Sequence, residues 1–217
     1  MKPAFVFFLA CCFSMLTATA QTHWGTRVQT SKIVVRLNGE KHWQPLDWHA
    51  FVLAETNLGA DFWLQPELGF GTRHTVYHSR SRLSSHTFDY NLFKVQTNLL
   101  CKYLVDMGNW KTFPYAGLTT DYVVSGQVHF YGWAIQYQAP LLSIDQTMHL
   151  GFDSYKYKRF TYGPIFGVSL QIPVKSGSFV FDVRCSTYSL SVIPCEGCDA
   201  KEGSFSLGAG YIFGAGN

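Results

Sequence analysis

Four places in this sequence carry residue types and spacings that could do chemistry. The first is Cys195-Glu196-Gly197-Cys198. A C-x-x-C pair serves as a redox dithiol, as half of a metal site or as a local disulfide. No second C-x-x-C follows to complete a four-thiolate centre. A loop disulfide between Cys195 and Cys198, or two idle thiols, is therefore the expectation, with no metal and no cofactor. The second is "RHTVYHSRSRLSSH", residues 73 to 86, where His74, His78 and His86 stand among Arg73, Arg80 and Arg82. Histidines four apart come close enough to share a metal ion only on a helix, and this stretch reads as a loop, either simply solvated or in contact with lipid phosphates. The third is Ser84, Ser85, His86 and Asp89, which have the types a hydrolase needs but lack a nucleophile motif such as G-x-S-x-G. The fourth is Glu67 with Arg184 or Lys94, an acid–base pair in principle and a structural ion pair by expectation. No enzyme is expected from these four.

The elements that hold these residues are strands. "FWLQPELGFG", residues 62 to 71, sets Phe62, Leu64, Pro66, Leu68 and Phe70 against Trp63, Gln65, Glu67, Gly69 and Gly71. That period of two gives one apolar and one mostly polar face, and Pro66 marks a bulge or local break in pairing. The same alternation runs through 93 to 103, 159 to 172, 178 to 188 and 203 to 213. Further strands are expected near 46 to 56 and 110 to 124, with a weaker one near 28 to 37, which makes about eight. Tight turn signals at 56 to 59, 106 to 109 and 174 to 177 alternate with longer joins at 75 to 87, 126 to 158 and 192 to 202, while the join around Asn38-Gly39 is less clear. Within the longest, "QVHFYGWAIQY" either extends its flanking strands or offers aromatics to a partner.

Composition points to the bilayer. Charged residues make up 14% of the chain and aromatics 17%, whereas soluble domains carry about a quarter charged residues. Met1-Lys2, an apolar run from Ala4 to Leu16 and Ala18-Thr19-Ala20 form the pattern of a secretory signal. Residues 1 to 20 are expected to be cleaved and 21 to 217 to form one barrel domain. The rival is acylation at Cys11 or Cys12, where "FLAC" leaves only a few apolar residues ahead of the cysteine. Without Lys2 the chain has 16 basic and 14 acidic residues, so no nucleic-acid partner is implied.

Short turns at one end, long joins at the other and strands of about 9 to 11 residues are the marks of an outer-membrane barrel. The expectation is an all-β, eight-stranded, antiparallel up-and-down transmembrane β-barrel. Its apolar face meets lipid, and its lumen is filled by ion pairs among Glu67, Arg73, Lys94, Lys102, Asp182 and Arg184. Cys101 and Cys185 fall on the lipid face. The alternative is a soluble periplasmic, lipocalin-like barrel, which would turn the faces round to enclose a small apolar ligand.

From "LQPE" onward the chain resembles the PorT-type outer-membrane β-barrel family of Bacteroidetes. "FDYNLFKVQTNLLCKYLV", "FPYAGLTTDYVVSG", "PIFGVSLQI", "FVFDVRCSTYSLS" and "SFSLGAGYIF" follow in the family's order and cover most of residues 46 to 213. The resemblance implies the outer membrane of a diderm bacterium and an accessory role in protein secretion for at least one member. Expected partners are outer-membrane lipid and, through the long joins, lipopolysaccharide or secretion and envelope proteins. The protein itself is expected to be a monomer.

Overall fold

The computed structural model describes residues 22–37, 40–80, 84–134, 142–150, 159–188 and 201–214. The leader pattern, Arg82, Cys195 and Cys198 lie outside these residues. Ten strands follow in order: β1 (Thr22–Leu37), β2 (Glu40–Gly59), β3 (Phe62–Arg80), β4 (Ser84–Tyr103), β5 (Val105–Asp106), β6 (Lys111–Ala134), β7 (Leu142–His149), β8 (Phe160–Val174), β9 (Gly177–Tyr188) and β10 (Lys201–Phe213). Eight of them close a ring in the order β1-β2-β3-β4-β6-β8-β9-β10, with β10 paired back to β1 and every contact antiparallel. The two short strands, β5 and β7, both pair with β6. Closure gives every ring strand a partner on both sides, as backbone in hydrocarbon requires.

Which face is wet is settled by burial. Arg73, Lys102 and Arg184 are only 1–2% exposed, whereas Val28, Leu46, Leu118 and Phe166 are 56–68% exposed. Charge lies inside and hydrocarbon outside, the reverse of a soluble ligand-carrying barrel. The lipocalin-like alternative fails on this inversion.

The three turn signals mark one end of the ring. Gly59 and Ala60 take positive φ (114° and 48°) between β2 and β3, and Gly108 (81°) stands before β6. Lys175–Ser176 joins β8 to β9, where Ser176 accepts a hydrogen bond from the Gly214 amide beyond β10. At the other end the strands run far past the expected bounds. The stretches 75–80 and 84–87, read from sequence as loop, are strand, with Ser79 opposite His86 and Arg80 opposite Ser85. Likewise 126–134 continues β6, and 142–149 pairs with it as β7. Beyond the bilayer both faces of a strand meet water or other protein, so the ladder persists while the apolar alternation that reveals it fades.

Pro66 opens the pairing without a bulge. Between β2 and β3 the pairs Leu53–Glu67 and Thr56–Leu64 keep one register, and the intervening residues are unpaired there, while Pro66 still stands opposite Leu99 of β4. A true register shift occurs elsewhere. Lys94 pairs with Val123 but Phe93 with Ser125, so Val124 is an extra residue and the inward parity of β6 flips above it.

Candidate functional site

Two regions could do work: the packed lumen, and the sheet raised above it. The six lumen residues expected from sequence all lie on the inner wall, but in separate tiers. Glu67, Arg184 and Asp182 meet in the central one. Arg27 donates to both carboxylate oxygens of Glu67, at 2.7 and 2.8 Å. Arg184 reaches the same carboxylate from the opposite wall at 3.0 and 3.4 Å, and its Nε donates to Asp182 at 2.6 Å. Asn98 and Gln65 also donate to Glu67, and the Tyr115 hydroxyl donates to Asp182 at 3.0–3.1 Å. Nearer the short turns, Lys102 pairs with Glu55 and donates to Gln65 at 2.7 Å, while Gln171 donates to both Glu55 oxygens at 2.9 Å. On the other side of the centre, Lys94 pairs with Asp121 at 2.6 Å and Arg73 with Glu202.

Sequence reading missed Arg27, Glu55, Asp121 and Glu202. Arg27 and Asp121 share their parity with inward neighbours on β1 and β6, a signal already present in the alternation. Glu55 lay against a turn and Glu202 within a presumed loop, so nothing local marked them. Arg73, weighed also as a lipid-phosphate contact, is buried against Glu202 and faces no lipid. Among the described residues the buried ionic set comprises five bases (Arg27, Arg73, Lys94, Lys102, Arg184) and six acids (Asp47, Glu55, Glu67, Asp121, Asp182, Glu202). Near-balance of this kind, with shared hydrogen bonds, is what lets charge sit in a dry interior. Within the lumen lies a cavity of only about 10 Å³, bordered by Gln29, His49 and Gln96. That is room for about one water.

The second region is the sheet β3-β4-β6-β7. Crossing an apolar band of about 25 Å takes about ten tilted residues. With 20, 19, 20 and 24 residues, β2, β3, β4 and β6 therefore rise well beyond it, the upper part of β2 pairing with β1 rather than with β3. Their inner face carries a satellite core of Tyr90, Leu92, Val123 and Val128, backed by Phe88 and Leu150. Phe130 packs against Phe88, the ring centroids 4.8 Å apart and the planes tilted by 43°. The outer face is a polar ladder. His74 Nε2 lies 2.5 Å from Asp89, His129 Nε2 lies 2.5 Å from Asp145, and His78 Nδ1 lies 2.9 Å from Thr87. Asp89 and His129 stand directly opposite each other across β4 and β6. Above His49–Gly71 the β2–β3 ladder gives way to side chains: Asp47 and Gln44 accept from the amides of His74 and Val76 at 2.7 and 2.8 Å.

The remaining sequence candidates are not brought together. His86 stacks against Phe130 on the inner face, while Asp89 pairs with His74 on the outer one, so Ser84, Ser85, His86 and Asp89 form no relay. His74 and His78 point the same way from an extended strand, far apart along it. Among the described residues no cluster of three His, Cys, Asp or Glu is placed to hold a metal ion. Cys101 and Cys185 are free and exposed on the outer wall.

An apolar outer wall, a closed antiparallel ring and a lumen of paired charges decide the class. The protein is a β-barrel of the outer membrane. No protein-family profile matches the chain, and no curated protein matches it in sequence. Among solved structures, the attachment invasion locus protein Ail of Yersinia pestis, in complex with the heparin analogue sucrose octasulfate, is 16% identical, with 89% of this chain and 99% of that chain covered and a TM-score of 0.42. Neisserial surface protein A is 11% identical (88% and 97% covered, TM-score 0.44), and a major outer membrane protein of Thermus thermophilus is 14% identical (88% and 99%, TM-score 0.45). Likeness at this level identifies no family, and the architecture stands on the ladder and the two faces described above.

Proposed function

We propose that this barrel is a non-enzymatic, non-conducting outer-membrane protein that works by contact, presenting the raised β3-β4-β6-β7 sheet to another envelope or secretion protein. The observation that carries this reading is the combination of a lumen closed by paired charges with strands that continue well beyond the bilayer. A barrel serving only as an envelope scaffold would need no such extension. One side of the raised sheet is sealed by the Asp47 and Gln44 side chains on β3. At the other side, β7 has β6 as its strand partner among the described residues and exposes Asp145, Gln146, Thr147, Met148 and His149. A strand of that kind suits an extended segment of a partner protein. Membership of the PorT-type family, and with it an accessory role in secretion, is supported by the order of the strand motifs from "LQPE" to "SFSLGAGYIF".

Photo-crosslinking in the native envelope tests this. A crosslinking residue at Gln127, Tyr131 or Thr147 should capture a discrete protein, and one at Val168 or Leu207 in the lipid-facing belt should not. Purified barrel in a planar bilayer should show no conductance steps. Discrete conductance, or crosslinks confined to the belt, would overturn the proposal.

A further inference from the structure

The small lumen cavity lies beside the central ion-pair tier, and its polar border is incomplete in a specific way. Gln29, His49 and Gln96 are 5%, 2% and 3% exposed. Gln29 Oε1, Gln96 Oε1 and both ring nitrogens of His49 have no hydrogen-bond partner within the protein. The orientation of the Gln96 amide is fixed by its nitrogen, which donates to Asn98 Oδ1 at 3.2 Å and Thr119 Oγ1 at 2.9 Å. Its oxygen is therefore left to be met by something else. Buried polar atoms are satisfied in all but a few cases, and here three side chains from β1, β2 and β4 border one cavity.

We propose that this cavity is a binding site for a single structural water. Two amide oxygens call for a ligand that donates twice, and a neutral imidazole offers one N–H for it to accept. Water meets both demands and matches the volume of about 10 Å³, which is room for one molecule. Other small ligands fail on chemistry. A halide would be drawn by Lys94 and Arg184, which also border the cavity, but it would set a third acceptor against two amide oxygens. Ammonium or a metal cation would meet those oxygens but stand beside the same two cations. The water would link β1, β2 and β4 at a point where no direct side-chain bond does.

A crystal structure of the refolded barrel at a resolution that shows ordered solvent tests the site. The expected result is one water-sized density peak within about 2.6–3.2 Å of Gln29 Oε1, Gln96 Oε1 and a His49 ring nitrogen. In Gln96→Met, which removes one acceptor and fills space, that peak should be lost. Crystals grown in bromide or in rubidium should show no anomalous signal there. The proposal is overturned by an empty cavity, by amides turned onto protein partners, by an anomalous peak, or by a peak that persists unchanged in Gln96→Met. Should that variant fail to assemble, the wild-type density and the two ion soaks decide the matter by themselves.

Discussion

Glu67→Gln tests the lumen most directly. The substitution keeps the shape of the side chain and removes one negative charge from a tier that holds Arg27, Arg184, Glu67 and Asp182. Arg184 keeps Asp182, which its Nε meets at 2.6 Å. Arg27 loses its bidentate partner and is left with Asp182 at 3.8 Å. Breaking a buried ion pair by removing one partner costs about 3–5 kcal/mol, and the surviving Asp182 places this case near the lower end, at about 3 kcal/mol. In urea, with a slope of about 2–3 kcal/mol/M for a chain of this size, the unfolding midpoint should fall by roughly 1–1.5 M. The assay is the gel-mobility shift of the folded barrel in lipid vesicles, or tryptophan emission over the same range. Asp89→Asn is the internal comparison. Its His74 partner is about a third exposed, and exposed pairs contribute about 0–1 kcal/mol. If Glu67→Gln proved as mild as Asp89→Asn, the central tier would not be a dry ion-pair lock, and the case for a closed lumen would fall with it. Combining Glu67→Gln with Arg27→Met should recover part of the loss, because the stranded cation goes too.

Three further outcomes follow from the two walls. Val168→Arg or Leu207→Arg puts a cation on the lipid face and should lower the folded, heat-modifiable fraction in vesicles by a cost of about 2–4 kcal/mol at mid-bilayer; normal assembly of both would reverse the assignment of faces. Gly163→Ala should destabilise by about 1–3 kcal/mol, since a Cβ there would lie 1.7 Å from the Thr187 carbonyl oxygen, while Gly203→Ala, whose nearest neighbour would be 3.7 Å away, should unfold close to wild type in the same titration. With Cys11, Cys12, Cys195 and Cys198 replaced by serine, Cys101 and Cys185 should resist a charged maleimide in vesicles and react with it once the protein is unfolded; rapid labelling of the folded barrel would place them off the lipid face.

How much of this was legible in the sequence depends on what alternation encodes. It encodes which wall a residue faces, so Glu67, Lys94, Lys102, Asp182 and Arg184 could be placed inside from parity alone. It does not encode height. Glu67 on β3 and Arg184 on β9 sit on opposite sides of the ring, and their meeting depends on the stagger accumulated over four strand pairs, which no local pattern carries. For that reason Lys94 could be grouped with Glu67 as readily as Arg184 could, although its partner is Asp121. Parity also fails at the Val124 insertion. Below it Thr119, Asp121 and Val123 face inward, and above it Val128 does, so a strict period of two read through the insertion assigns the upper half of β6 to the wrong face.

The loop reading of residues 75–80 and 84–87 failed for a reason that also bears on function. A strand is recognised in sequence by the difference between its two environments, and in the bilayer that difference is as large as it can be. Above it, the outer face of β3 and β4 needs no apolar residues, and His74, His78 and Asp89 resemble a solvated loop. The ladder survives there because the inner face still buries Tyr90, Leu92, Val123 and Val128. Keeping that apolar core above the membrane takes a sheet of several paired strands. The β3 side is finished by Asp47 and Gln44, whose carboxylate and amide occupy the amides that a further strand would have used. Asp47 is also the sixth buried acid, the one without a close basic partner among the ion pairs described above. Its retention inside the wall is explained by the edge it caps rather than by the charge balance of the lumen. The same residue thus faces the barrel's polar interior and finishes one border of the raised sheet, and among the described residues β7 has β6 as its strand partner, which is the side where the proposed partner segment would join.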